Sequence, residues 1–208
     1  MSVDLLVLDD APDLAAAAYF GGLPSLANRS EFHWPQCAEC RRPMQYLGRV
    51  PHPLDPAKRV LIFQCANDPG MCDEWDPYAG GNQALIVDAT PAARFVKPPW
   101  RGVTTLGASW SGHTEPCAAD SYGAAHDEFE RSDEQKRFVL GQLGGRPDWL
   151  QDDETPTCSA CGNPMVLAAQ LEEGPGRQAS MNFGGGGCGY AFICTCPADE
   201  ARFLWQSE

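Results

Sequence analysis

Short apolar runs bounded by turn residues recur along the chain. Asp4 to Leu8, Val60 to Gln64, Ala84 to Val87, Met165 to Leu171 and Tyr190 to Ile193 are too brief for helices and have the look of strands in a compact core. Two other segments read as helices. Asp10 to Phe20 offers Asp10 as N-cap, Pro12 in the first turn and Gly21-Gly22 as terminator. Asp127 to Leu143 is charged, with Phe129, Phe138, Val139 and Leu143 at roughly helical spacing, and it follows a stretch from Pro98 to Ala125 whose Gly, Ser, Thr and Pro content predicts a loop. Gly 21 and Pro 18 among 208 residues favour turns and short strands over long helices.

The pattern also repeats. Gly21-Gly22-Leu23-Pro24, Cys37-Ala-Glu-Cys40 with Pro43-Met44, and Leu61-Ile62-Phe63-Gln64-Cys65 return in the same order as Gly144-Gly145-Arg146-Pro147, Cys158-Ser-Ala-Cys161 with Pro164-Met165, and Tyr190-Ala191-Phe192-Ile193-Cys194. Knuckle and Pro-Met recur at one constant spacing, and the Gly-Gly elements need only a two-residue indel. The chain therefore reads as an imperfect duplication: a first half over 1–97, a connecting loop and helix over 98–143, and a second half over 144–208, with a longer connection around the Gly-rich run of the second copy.

Ten cysteines give the repeat its chemistry. The N-terminus has no basic region and no apolar run of signal length, and no stretch of about 18 apolar residues occurs anywhere, so the expected setting is cytoplasmic and not a membrane. In a reducing compartment cysteine spacing is read first as metal binding. Structural Zn²⁺ takes four thiolate or imidazole ligands in a tetrahedron, and Cys-x-x-Cys supplies two from one turn. Cys37 and Cys40 with Cys65 and Cys72 make one set; Cys158 and Cys161 with Cys194 and Cys196 make the other. Cys194-x-Cys196 is a tight bite, so Cys188 competes with Cys196 for the fourth place. Gly162 follows its knuckle where a positive φ is tolerated, whereas the first knuckle has Arg41 there. Four thiolates leave no open position for a catalytic water, which points to one or two structural ions. Cys117 has no counterpart in the other copy and reads as an ordinary thiol.

Charge and the failed motifs narrow the function. Fifteen Lys+Arg against 28 Asp+Glu give a net charge of −13, which disfavours nucleic acid and suits a basic protein partner. Gly184-x-Gly186-x-x-Gly189 precedes an apolar strand instead of opening a helix, so it is no dinucleotide fingerprint. The Ser109 and Ser111 region lacks the glycine spacing of a nucleophile elbow. Asp152-Asp153-Glu154 reads as a solvated turn. Trp34, Trp75, Trp149 and Trp205 sit near the repeat elements and are expected to pack small cores beside the metals.

Gly21-Gly22-Leu23-Pro24, Trp34-Pro35 before the first knuckle, the run Phe63-Gln-Cys65-Ala-Asn-Asp-Pro-Gly-Met-Cys72-Asp-Glu-Trp75, and Gly144-Gly145-Arg146-Pro147-Asp148-Trp149-Leu150-Gln151 together resemble the bacterial YwqG-like family of unknown function. Its cysteine-bearing members are similar to the eukaryotic programmed-cell-death-protein-two group. The resemblance implies an α+β, β-rich duplicated fold with two zinc-knuckle-containing β-sheet halves, and no established enzyme activity. For the eukaryotic relatives it implies a cytoplasmic chaperone dedicated to a basic small-subunit ribosomal protein. The chain departs from the pattern at Arg49, which stands where the second copy has Gln170. The expected function is thus a zinc-stapled, non-enzymatic protein-binding module that holds a basic client. Two alternatives stand beside it: an immunity-type inhibitor of a toxin, and a small-molecule enzyme in the groove between the halves, which would need His113 and His126 to converge with acidic residues.

Overall fold

The computed structural model describes residues 2–27, 30, 32–89, 94–176 and 181–208. In chain order the elements are β1 (Val3–Leu8), β2 (Ala18–Phe20), β3 (Ser25–Leu26), β4 (Gln45–Pro51), β5 (Lys58–Gln64), β6 (Asn82–Asp88), β7 (Arg94–Phe95), β8 (Trp110–Cys117), α1 (Tyr122–Ser132), β9 (Val139–Leu143), β10 (Val166–Glu172), β11 (Cys188–Ile193) and β12 (Ala201–Gln206). Ten strands form one antiparallel sheet in the order β12-β11-β10-β9-β1-β8-β2-β4-β5-β6, and β3 pairs with β7 apart from it. The sheet curls into a nearly closed barrel. Its edge strands β6 and β12 face each other across a seam, crossed by the Lys58–Asp199 ion pair and by a hydrogen bond from Arg202 Nη1 to the Pro77 carbonyl.

This architecture corrects the expected α+β class and the expected pair of separate sheet halves: the fold is all-β around one sheet, with one helix among the described residues. Asp10 to Phe20 is not helical. Ala18–Phe20 is strand β2, held between β4 and β8, and the preceding segment turns where Asp13 Oδ1 accepts the Ala15 N–H and Ser111 Oγ accepts the Asp13 N–H. A helix that short has little stability of its own, and side-chain bonds to the backbone compete with it. The later helix lies earlier than expected, and the expected loop from Pro98 to Ala125 contains β8. Asp133 ends α1, donating its N–H to the Phe129 carbonyl and accepting the Arg137 N–H, and β9 follows.

The duplication is built into the strand order. The sequence β1-β2-β4-β5-β6 recurs as β8-β9-β10-β11-β12, and the two first strands are exchanged: β1 pairs with β9 and β8 with β2. Each copy thus completes the other's half, with the β1–β8 ladder at the centre. Both hairpins that carry the knuckles have a register shift at the same place, between Tyr46 and Gly48 in one and between Leu167 and Ala169 in the other. Such a bulge increases local twist and helps the sheet curl.

Alternation along the strands divides the core. Val60 and Ile62 on β5, and Ala191 and Ile193 on β11, join Leu6, Phe20 and Phe203 in one interior cluster shared by both copies. Their neighbours point outward into separate clusters. Leu61 and Phe63 pack with Met44 and Tyr46 beside the first cysteine set, and Tyr190 and Phe192 pack with Met165 and Leu167 beside the second. Helix α1 covers β1 and β9 through Tyr122, Ala125 and Phe129. Each cysteine-bearing loop therefore stands on its own aromatic platform outside the barrel.

Candidate metal centres

Both knuckles are the same backbone turn. In the first, the Cys37 N–H donates to the Arg42 carbonyl at 3.0 Å and the Arg41 N–H to the Cys37 carbonyl at 3.0 Å. In the second, the Cys158 N–H donates to the Asn163 carbonyl at 2.9 Å and the Gly162 N–H to the Cys158 carbonyl at 2.8 Å. Bridges Gln36–Pro43 and Thr157–Pro164 close the two turns. The turn requires a left-handed residue after the second cysteine: Gly162 has φ 72°, and Arg41 adopts φ 58° despite its Cβ. One further cysteine of each set stands at the end of a strand and the fourth, Cys72 or Cys196, in the loop that follows. Cys65 directly follows β5, and Cys194 directly follows β11.

The structure brings Cys37, Cys40, Cys65 and Cys72 together, and likewise Cys158, Cys161, Cys194 and Cys196, with the sulfurs of each set within 4.8 Å of one another. Contacts of 3.7 Å between Cys40 and Cys65, 3.8 Å between Cys158 and Cys196, and 3.5 Å between Cys161 and Cys194 are far too long for disulfides. They match the edge of a tetrahedron with metal–sulfur bonds of about 2.3 Å, which is about 3.8 Å. Cys188 is not in the second set. It is buried at the start of β11, opposite Gln206 and Glu172, and burial pushes its thiol up to about 11. Cys117 packs near β1 and α1, its sulfur 3.8 Å from the Ala125 carbonyl.

The electrostatics suit a cation at each centre. Burial raises Cys40, but the Arg42 N–H and the neighbouring thiols outweigh it and bring Cys40 down to about 7. The Asn163 N–H likewise lowers Cys161. Burial, then the neighbouring thiols, push Cys72 up, because crowded sulfurs cannot all ionise without a compensating charge. A divalent ion supplies that charge and takes four thiolates at once.

Partners outside the sulfurs hold each loop. At the first centre, the Asn67 amide lies 3.5 Å from Cys65 Sγ and 3.9 Å from Cys40 Sγ while donating to the Pro43 carbonyl, and Glu74 accepts the Cys72 N–H. Gly81 is obligatory there, since a Cβ would sit 2.1 Å from the Cys72 carbonyl oxygen. At the second centre, Glu200 accepts from Ser159 N and Oγ and lies 3.3 Å from Cys158 Sγ; the Ser159 bonds, with Arg202, hold its carboxyl at about 2. Sequence reasoning assigned no role to Asn67, Glu74 or Glu200, and no spacing rule singles them out. The four expected tryptophans divide. Trp34 packs on Phe63 and Trp149 stacks on Phe192, whereas Trp75 meets Trp205 on the seam side.

His113 and His126 occupy different places. His113 on β8 sits between Asp9 and Glu115, at 2.6 and 3.1 Å. His126 on α1 lies 3.7 Å from Glu172 and lines a cavity that His113 does not reach.

A duplicated all-β barrel carrying two four-cysteine centres, each able to hold a metal ion, is the class that fold and site define. No family model matches the chain. Over 33 residues, 16% of this chain, it is 48% identical to an uncharacterized protein, YpfL, of Salmonella typhimurium, and the matched segment is 8% of that relative's length. Among the described residues no helix is long and apolar enough to cross a membrane.

Proposed function

We propose that each centre holds one structural Zn²⁺ and that the protein is a zinc-stapled, non-enzymatic module that binds a basic protein client in a chaperone-like way. The observation that carries the metal reading is the matched pair of four-cysteine sets, each with its sulfurs within 4.8 Å of one another; four thiolates on one ion leave no position for a catalytic water. Support for the client reading comes from the loop between Cys65 and β6. It carries Met71, Trp75 and Tyr78 exposed beside Asp73 and Asp76, and the Tyr78 hydroxyl accepts the Thr157 N–H next to the second knuckle. Exposed large apolar side chains among carboxylates, in a chain of net charge −13, form a surface suited to a basic amphipathic segment. The similarity of cysteine-bearing YwqG-like members to the eukaryotic programmed-cell-death-protein-two group is in line with this reading.

The test is titration of the zinc-loaded chain with an arginine- and lysine-rich segment of a ribosomal protein at several salt concentrations. Binding that weakens with salt, and weakens about tenfold in Trp75→Ala, is expected. Absence of binding at low salt, or binding indifferent to Trp75→Ala, overturns the client reading and leaves the zinc reading to its own test.

A further inference from the structure

The duplication gives each side chain of one copy a counterpart in the other. Gln170 on β10 and Arg49 on β4 both follow the register shift of their strands, opposite Tyr190 and Leu61, and both reach the segment after a Gly-Gly-x-Pro element. Gln170 does so with a neutral amide. It accepts the Asp148 N–H at 2.8 Å, donates to the Asp148 carbonyl at 3.0 Å, and accepts from Gln142 at 2.9 Å. Arg49 donates to Ser25 Oγ at 3.0 Å and to the carbonyls of Leu14 and Ala16 at 2.7 and 3.1 Å, with its guanidinium 5.1 Å from the Tyr19 ring centroid. Tying the loop needs hydrogen bonds and not a charge, as copy two demonstrates. Copy one nevertheless keeps a guanidinium there at 7% exposure.

A second guanidinium lies beside it. Arg59 on β5 is paired with Pro51 where copy two pairs Cys188 with Glu172. Its Nη1 donates to the carbonyls of Pro56 and Lys58, at 3.0 and 2.8 Å, and among the described residues the fork of Nε and Nη2 has no partner. Both arginines line a cavity of about 550 Å³ with Leu14, Val87 and Phe95. Among the described residues neither forms an ion pair with a carboxylate. Asp88, also on the wall, is exposed at the end of β6 and faces Lys58 across the ladder. Burial and the Arg49 charge lower the pKa of Arg59, which fits two like charges facing each other without an anion between them.

We propose that this cavity binds a small organic anion, its carboxylate or phosphate head on the Arg59 and Arg49 guanidiniums and its apolar body against Leu14, Val87 and Phe95. An arginine fork grips either head group bidentately, and the volume is that of a small-molecule site. The corresponding cavity of copy two, about 470 Å³, is lined by Asp148, Glu172 and Cys188 and has the opposite electrostatic character.

Calorimetric titration of the zinc-loaded full chain with phenyl phosphate, phenylacetate and neutral benzyl alcohol tests it. Saturable one-to-one binding of at least one of the two anions, no binding of benzyl alcohol, and at least tenfold weaker binding in Arg59→Gln are expected, with the zinc count and melting temperature of that variant kept. Preference for phenyl phosphate assigns a phosphate head, and preference for phenylacetate a carboxylate head. Arg49→Gln, which installs the copy-two residue, is expected to weaken the same anion. Failure of both anions to saturate at millimolar concentration, or unchanged affinity in Arg59→Gln, overturns the proposal.

Discussion

The two cysteine centres share a knuckle and a cysteine at the end of a platform strand, and they differ in the loop that returns the fourth sulfur. In copy one the second ligand pair is Cys65 and Cys72, joined by a loop that Asn67 and Glu74 fasten, and three of its four cysteines are buried. In copy two the pair is Cys194-x-Cys196, a short turn fastened by Glu200, and Cys161 is exposed. A common platform strand thus supports two solutions for the same tetrahedron. The turn that presents two sulfurs is fixed by backbone geometry, while the other half of the site tolerates any loop that returns two more.

That comparison breaks most sharply at the ligands themselves. Cys37→Ser is expected to release one ion and lower unfolding free energy by at least about 3 kcal/mol, because metal binding to such a site is largely folding free energy. Cys158→Ser is expected to release the other ion at a smaller cost, its centre being more exposed; urea denaturation with metal analysis of each variant checks the order. The aromatic platforms come next. Phe63→Ala is expected to cost roughly 3 to 5 kcal/mol and Phe192→Ala somewhat less, because Phe63 meets Phe32, Trp34 and Tyr46 whereas Phe192 stacks on Trp149 alone among the aromatic pairs of the described residues. Gln170→Ala leaves the Asp148 N–H and the Gln142 amide short of a partner in a buried setting and is expected to cost about 1 to 3 kcal/mol. Arg41→Gly, which gives the first knuckle the glycine of the second, is expected to stabilise by about 0.5 to 1 kcal/mol, read as a rise in denaturation midpoint with unchanged zinc content.

The smallest effect lies at the centre of the sheet. Hydrogen bonding to Asp9, then to Glu115, raises the pKa of His113 above its ordinary value. Stability from this protonated group is fully present below the unfolded pKa near 6.5 and is lost as pH rises through the higher folded pKa. The side chain is 47% exposed, so solvent screening keeps the contribution under about 1 kcal/mol. Stability measured from pH 6 to pH 8.5 is expected to fall slightly, and His113→Asn to flatten that slope.

Five strands were legible in their apolar runs, since β1, β5, β6, β10 and β11 coincide with them to within about two residues. The first helix expectation failed, and the second was met only over 127–132 before running on into a strand, for one reason. Ala18–Phe20 and Val139–Leu143 carry alanines, leucines or helical spacing that suit a helix locally, yet each is the second strand of its copy and is claimed by ladders on both sides. Strand β8 was invisible because Trp110-Ser-Gly-His-Thr-Glu-Pro-Cys117 has few apolar residues; it earns its central place by pairing β1 over six positions. Exchange of first strands between copies leaves no mark on local pattern, so one sheet looked like two. The cysteine sets were readable because ligand spacing is itself the signal, whereas Asn67, Glu74 and Glu200 act through loop geometry that no short motif encodes.

Native mass spectrometry of the purified chain, with Cys37→Ser and Cys158→Ser measured alongside, tests the central claim most directly. Two zinc ions on the wild-type chain and one on each variant are predicted. A metal-free wild-type chain that melts with unchanged midpoint in the presence of a strong zinc chelator would contradict it.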